Sequence, residues 1–365
     1  MKLLTVVGAR PQFIKAAVLS RVIESHPNID EILVHTGQHY DHNMSGIFFD
    51  DLNIPKPKYS LGISGLSHGA MIGQMIIEIE KVLISERPDY VLVYGDTNST
   101  LGAAIAAKKL GISIIHIEAG VRNFDEAMPE ESNRYLTDRL SDLNFCCTEL
   151  GVSNLRAEGF MCKNIQSQVF NFGDLMLDAA LYYDQFGVST DEIFNKFNCV
   201  DQQYAVSTIH RPSNTDSKKN LEEIVSALEH INKDLKVILL AHPRTLAKLN
   251  EYRIKLSFEV YESVSYLEMI PLIKSSKLVV TDSGGLVREA FFFKKPSLFL
   301  LENPVWPELV DTGCCVNAAP IEDEIIASYE ELMNGDFDFS SKTFGAGNAG
   351  ELILGKIIEH DNLKF

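Results

Sequence analysis

Unbroken apolar runs that alternate with longer amphipathic segments limit the fold of this chain more than anything else in it. "LLTVVGA" is followed by "QFIKAAVLSRVIESH", "EILVHTG" by a helix-like segment over 67–86, and that segment by "YVLVYGD". The second half repeats the rhythm with "YAVSTIHR", "LEEIVSALEHIN", "VILLAHPR", "SFEVYE", "YLEMIPLIKSS", "LVVTDSGG", "REAFFFKK" and "SLFLLE". A strand with one wet face alternates apolar and polar residues, whereas a strand covered on both faces reads as a continuous apolar run. Such runs separated by helix-length segments spell βαβ units: α/β, with a parallel sheet between helices.

At 365 residues the chain exceeds one typical core, and domains of about 150–200 residues make two of it. The halves echo each other. "LVYGDTNSTLGAAIAAKKLGISIIHIE" and "LVVTDSGGLVREAFFFKKPSLFLLE" share strand, Asp, small residues, helix, Lys-Lys and strand, with Asp96–Lys108 and Asp282–Lys294 each twelve positions apart. We expect two Rossmann-like domains over 1–170 and 171–345, facing across a cleft, and a terminal helix over 346–365 that packs back on the first. Ligands of open α/β sheets sit beyond the carboxyl ends of the strands, so strand-end polar residues are the candidates.

The formal charge of −17, 33 Lys and Arg against 50 Asp and Glu, argues against a nucleic-acid partner, which needs a basic surface. A small phosphorylated ligand remains open, because helix N-termini and a few arginines hold phosphate locally. The apolar run of "MKLLTVVGARPQF" is too short for a signal-peptide core, and no stretch has the roughly 20 apolar residues of a membrane span. We expect a cytoplasmic protein with no membrane partner. The cysteines at 146, 147, 162, 199, 314 and 315 form no Cys-x-x-Cys; buried free thiols and no metal are expected.

"GAGNAG" (345–350) is a literal G-x-G-x-x-G, but only one helix follows it, and a dinucleotide site needs a strand before and a βαβ unit after. We read it as a hinge into the terminal helix. "TDSGGLVREA" (281–290) ends a strand and opens a helix, so Ser283, Gly284 and Gly285 offer backbone N–H groups and a positive dipole end to phosphate. Glu289 lies further along that helix, placed for ribose hydroxyls. "GARPQFIK" (8–15) sets Arg10 at the first strand's end and Lys15 in the first helix. "YGDTNST" puts Asp96 at another, where helix capping competes with catalysis as its role. "STIHRPSN" and "LLAHPRT" end strands with His210, Arg211, His242 and Arg244. "HIEAGVRNFDEAMPEESNR" (116–134) gathers Glu118, Asp125, Glu126, Glu130 and Glu131 around Arg122 and Arg134 without an apolar rhythm. The set suits acid–base chemistry on a phosphorylated small molecule; acyl transfer and P-loop chemistry lack their motifs.

In order along the chain, "GARPQFIKAA", "HTGQHYDHNMSGIFFDDLNIPKP", "VYGDTNST", "HIEAGVR", "MPEESNRYLTD", "STIHR", "AHPRT", "TDSGG", "EAFFFKKP" and "GAGNA" resemble the bacterial non-hydrolysing UDP-N-acetylglucosamine 2-epimerases. "GARPQ" and "IHR-x-x-NTD" resemble the branch acting on UDP-2,3-diacetamido-glucuronic acid. The resemblance implies a GT-B-type fold, a homodimer, no added cofactor and a role in surface polysaccharide precursor synthesis. It implies elimination of UDP across C1–C2 to a glycal, then re-addition with the proton on the opposite face. By motif, Asp96, Glu118 and Glu130 match the family's catalytic carboxylates, His210 its histidine, and Lys15 and Arg134 its supporting cations. Arg10, His242, Ser283, Gly284, Gly285 and Glu289 match UDP contacts, and we add Arg211 to that set. A hydrolysing epimerase that releases UDP, or a glycosyltransferase-like UDP-sugar binder, are the alternatives.

Five positions depart from the family pattern: Ser213 and Val305 stand for glutamates, Val287 for glutamine, Leu301 for arginine and Pro304 for threonine. They are expected to alter the sugar pocket or the lid over UDP. The Arg-Gln pair used for allosteric activation in some relatives is missing from "ISGLSHGAMIG", so no activation by a substrate-type ligand is expected.

Overall fold

The computed structural model describes residues 1–38, 49, 51–162 and 165–363, and among these it forms two parallel sheets. The first contains β1 (Lys2–Val7), β2 (Asp30–His35), β3 (Tyr59–Ser60), β4 (Tyr90–Tyr94), β5 (Ser113–Ala119), β6 (Leu143–Cys146) and β7 (Gln168–Asn171), in the order β3-β2-β1-β4-β5-β6-β7. The second contains β8 (Tyr204–Thr208), β9 (Lys236–Ala241), β10 (Val260–Glu262), β11 (Leu278–Thr281), β12 (Ser297–Phe299) and β13 (Cys315–Asn317), in the order β10-β9-β8-β11-β12-β13. The two orders correspond. In each, the chain starts at a central strand, runs outward, and returns to lay the fourth strand on the other side of the first. That reversal is where α/β sheets bind ligands.

The unbroken apolar runs have a direct structural cause. Ala205, Val237, Leu239, Leu278 and Val280 pack into one core with the helix Lys218–Ile231 and the helix Glu322–Asn334. Their sequence neighbours Tyr204, Val206, Ile238, Leu240 and Val279 pack into another with the helices Thr190–Phe197 and Tyr266–Lys274. Successive strand side chains point to opposite faces, so a sheet with two covered faces needs apolar residues at every position. The first sheet does the same through Leu4, Val6, Ile32, Val34, Val91 and Val93 on one face. Burying one such side chain contributes about 1.5–3 kcal/mol.

The chain divides into two compact units, Met1–Leu181 with Lys342–Phe365, and Tyr182–Ser341. The last residues therefore belong with the first sheet. The helix Ala349–Asn362 packs on the helix Arg10–Glu24, where Gly350 lies against Val18 and Val22. Its Gly350 N–H donates to Asp178 (2.8 Å), and the Tyr90 hydroxyl meets His360 Nδ1 at 3.0 Å. "GAGNAG" leads into this helix with no strand before it. A Cβ on Gly345 would come within 2.9 Å of Gly173 Cα, so its glycines let two backbones cross.

Five of the six free cysteines are buried, as expected; Cys162 is exposed, because it lies in a surface turn after the helix Glu149–Ala157. Among the described residues no helix is long and apolar enough to cross a membrane. Residues 39–48 of the "TGQHYDHNMSGIFFDDLNIPKP" match lie outside the described residues.

Candidate active site

In the first unit the site grows from the carboxyl ends of β1, β4 and β5. Gln12, in the first turn of the helix after β1, ties two of these ends together. Its side-chain oxygen accepts the N–H groups of Gly8 (2.8 Å) and Ala9 (3.0 Å), and its amide donates to the Tyr94 carbonyl at 2.8 Å. Arg10 opens the same helix, and Lys15 lies on it one turn further in, 2 % exposed. A buried ammonium needs a counter-charge, and Lys15 Nζ has it in Glu118 Oε2 at 2.6 Å.

Glu118 is held in an uncommon backbone conformation, φ 70°, beside a register shift between β5 and β6. A left-handed glutamate costs about 1–2 kcal/mol, and bulges of this kind re-aim side chains near active sites. Gly95, after β4, faces the pair closely: a Cβ there would sit 3.4 Å from Glu118 Oε1 and 3.6 Å from Lys15 Nζ.

Asp96 follows, and its side chain is 29 % exposed. Arg134 grips one of its oxygens through Nε (3.0 Å) and Nη2 (2.8 Å), while Asn133 donates to its carbonyl (2.8 Å). The remaining nitrogen of Arg134 pairs with Glu131 at 2.6 Å. Glu131 is itself buried and accepts the Phe124 N–H (3.1 Å), so it fastens the acidic loop to the helix Pro129–Leu140. Asp125 accepts the Ala127 N–H (3.0 Å) and shapes a turn, Glu126 is exposed, and Glu130 is half-buried in the helix's first turn.

Behind this front lies a buried network that sequence reading missed. His116 spans the Gly95 carbonyl (Nε2, 2.8 Å) and Asp138 (Nδ1, 2.7 Å). Arg122 reaches Asp138 (2.7 Å) and Glu158 (2.8 Å). Burial opposes ionisation of Asp138, but His116 and Arg122 outweigh it and hold the carboxyl below the usual carboxylate range. The network anchors the turn that carries Asp96 to the strand that carries Glu118. His116, Arg122 and Asp138 stand in "HIEAGVR" and "YLTD", but nothing local in those motifs says that they meet.

The second unit builds on the ends of β8 and β11. Asp282 is fully buried and accepts the N–H groups of His210 (3.0 Å) and Arg211 (2.9 Å), the Asn214 amide (3.1 Å) and His210 Nδ1 (3.0 Å). Burial raises its pKa; the His210 ring and these N–H groups outweigh that and lower it. His210 itself remains 43 % exposed. Arg211 donates to the Asp282 carbonyl at 2.7 Å. His242 caps the helix Pro243–Tyr252 by accepting the Arg244 N–H (3.1 Å), and its ring lies 6.2 Å from that of His210. Arg244 is turned aside to Asp216 and Thr215.

Ser283 caps the helix Gly284–Phe292, accepting the Leu286 N–H at 3.3 Å. A Cβ on Gly284 would lie 3.3 Å from Trp306 Nε1 and 3.9 Å from Arg211 Nη2, so that first turn sits between an indole N–H and a guanidinium. Arg288 stacks on Trp306 at 4.2 Å, and Glu289 is buried on the same helix. Of the departures from the family pattern, Val287, Leu301 and Val305 are buried, Pro304 is half-buried and Ser213 is exposed.

The match with known proteins runs along the whole chain. A family model described as UDP-N-acetylglucosamine 2-epimerase matches residues 21–358. The chain belongs to the UDP-N-acetylglucosamine 2-epimerase family. A UDP-2,3-diacetamido-2,3-dideoxy-D-glucuronate 2-epimerase of Pseudomonas aeruginosa is 45% identical over 97% of this chain and 98% of its own. A UDP-N-acetylglucosamine 2-epimerase of Methanocaldococcus jannaschii is 39% identical over 97% and 98%. The crystal structure of that organism's enzyme with UDP-GlcNAc and UDP superposes with a TM-score of 0.92, at 38% identity over 98% of this chain and 100% of that one. The Neisseria meningitidis enzyme bound to UDP-GlcNAc gives 0.88, at 28% identity over 98% and 100%. The fold is the GT-B type expected, two Rossmann-like parallel-sheet domains.

Within this family member, the first unit brings Lys15 to Glu118 and Arg134 to Asp96, with Arg10 opening the helix that bears Lys15 and Glu130 opening the helix that bears Arg134. The second brings Arg211 to Ser283 and Gly284 through Asp282, with His210 beside His242. Gly285 and Glu289 follow on the same helix. Among the described residues, Glu118, Cys147 and Asp174 have ligand atoms within 4.8 Å of one another. Lys15 already brings positive charge to that group, and we read it as an acid cluster, not a cation site.

Proposed function

We propose that the protein inverts C2 of a UDP-2-acetamido sugar by eliminating UDP and adding it back. The observation that carries this is the pair of strand-end carboxylates, each held by its own cation: Glu118 by Lys15 and Asp96 by Arg134. The C2–H of such a sugar has no adjacent carbonyl to acidify it. A carboxylate therefore removes the proton as C1–O breaks, the C–H electrons form the C1–C2 double bond, and UDP leaves with the bridging oxygen. Re-addition delivers a proton to the opposite face of C2 while the UDP oxygen bonds C1. Glu118, Asp96 and Glu130 are the acid–base candidates, and Lys15 and Arg134 hold Glu118 and Asp96 in place through their ion pairs. In the second unit the first turn of the helix Gly284–Phe292, with Arg211 and Ser283, holds the diphosphate. His242, Glu289 and Arg10 contribute to the UDP site, and His210, set by Asp282, is the catalytic histidine.

The identity to the Pseudomonas aeruginosa relative makes its 2,3-diacetamido glucuronate the favoured sugar. We place the enzyme in the cytoplasm, as a homodimer that supplies surface polysaccharide precursors. Six free thiols support the compartment. Ile77 and Ile84, 52% and 57% exposed on the helix His68–Glu86, support an interface between copies.

Proton NMR of the enzyme with UDP-N-acetylglucosamine and UDP-2,3-diacetamido-glucuronate in D₂O tests the proposal. Deuterium entering C2 with the nucleotide retained is the expected result. Steady release of UDP would identify a hydrolase, and no exchange with either sugar would overturn the assignment.

A further inference from the structure

Resting on the epimerase function proposed above, we propose that Asp174 is a positioning residue for Glu118, a second carboxylate whose charge strengthens the first as a base toward carbon. β5, β6 and β7 are neighbours in the sheet, and their carboxyl ends deliver Glu118, Cys147 and Asp174 side by side. One ligand atom from each lies within 4.8 Å of the others, with Cys147 3% and Asp174 0% exposed. Lys15 enters the same group from the helix Arg10–Glu24, 2.6 Å from Glu118. Beyond Asp174, Asp178 of the helix Leu175–Tyr183 has its carboxyl pushed up, chiefly by burial, with the charge of Asp174 adding to the shift and the Gly350 and Ala349 N–H groups and Arg21 opposing it.

Lys15 alone would make Glu118 a weak base, because a cation at contact lowers a carboxylate's proton affinity by about 1–3 pKa units. That is the wrong direction for a group that must take a proton from carbon. A like charge within 5 Å acts the opposite way. Lys15 thus fixes the orientation of Glu118, while Asp174 restores its basicity. Asp174 also accepts the Met176 N–H (2.9 Å), as a helix-capping residue does. Asn or Ser would do that equally well, so capping does not account for a carboxylate buried beside another one.

The pH dependence of kcat/KM separates the two roles, measured for the wild type and for Asp174→Asn, Asp174→Ser and Asp174→Glu. Removing the charge moves the acid limb to lower pH by about one unit, while Asp174→Glu keeps it at the wild-type position. Either neutral variant suffices if the other fails to fold. A neutral variant whose acid limb stays in place, whatever its rate, overturns the inference. Carbon-13 NMR of the Glu118 carboxyl reads the same coupling without turnover: its titration moves to lower pH in Asp174→Asn, and an unmoved titration overturns the inference. Absence of C2 deuteration in the wild type would instead overturn the function, leaving the titration to decide the coupling.

Discussion

Asp96 and Asp282 occupy the same place in two sheets of the same strand order. Each follows the strand laid beside its unit's first strand, and each precedes a helix. Asp96 keeps 29% of its side chain exposed and meets one guanidinium from the helix Pro129–Leu140. Asp282 is fully buried and is consumed by the backbone and side chains of the β8 turn. One layout thus has two outcomes: an aspartate left partly accessible, and an aspartate spent on holding a histidine and an arginine in place. The difference comes from the turn after the sheet's first strand. In the first unit Gln12 satisfies that turn's N–H groups, and Asp96 is released from the task. In the second, among the described residues, the carboxylate of Asp282 accepts the turn's N–H groups instead.

Four measurements would break or sharpen this contrast. Asp96→Asn should lower kcat by about 10³-fold, roughly 4 kcal/mol of transition-state stabilisation, with UDP binding by calorimetry and the melting temperature nearly unchanged. Equal loss of UDP binding would make Asp96 a structural residue like its counterpart. Asp282→Ala leaves several buried donors unpaired and should cost about 3–5 kcal/mol, a drop of roughly 10 °C in a thermal melt; an unshifted melt would remove its anchoring role. Acid should expose the anchoring role of Asp282. The pKa of Asp282 is depressed in the fold, as is that of Asp138. The stability these groups contribute is therefore present above the unfolded value of about 4 and is lost as pH falls through the folded values. Calorimetry from pH 7 down to 3 should show that decline below about pH 4, and Asp282→Asn should flatten it. The smallest effect belongs to Ser283→Ala, which removes a helix cap worth about 1 kcal/mol and should weaken UDP binding several-fold at unchanged kcat.

The fold was legible because it depends on local pattern. Leu4 and Val6 or Val237 and Leu239 declare a doubly covered strand by themselves. The motifs located Glu118, Asp96 and Ser283 at strand ends for the same reason. Through the resemblance they also gave Asp96, Glu118 and Ser283 expected roles, but none to Glu131. Glu131 stood undecided beside Glu130, and only Arg134 and the Phe124 N–H show that it is a brace. Asp138 and His116 stood inside matched motifs with nothing to say that they meet, and Gln12 was visible in "GARPQ" without any sign that it ties β1 to β4. Asp282 was visible in "TDSGG", yet read there as part of a phosphate cradle, not as the residue that sets His210.

Periodicity determined that this chain forms two parallel-sheet domains, because burial on both faces and helix-start chemistry act over a few residues, and the order of its motifs carried the resemblance to the UDP-N-acetylglucosamine 2-epimerases. Tertiary structure alone decided which charges meet. Arg134 reaches Asp96 across 38 positions and His210 reaches Asp282 across 72. Such pairings are fixed by how crossover connections stack strand ends, which no local stretch of sequence encodes.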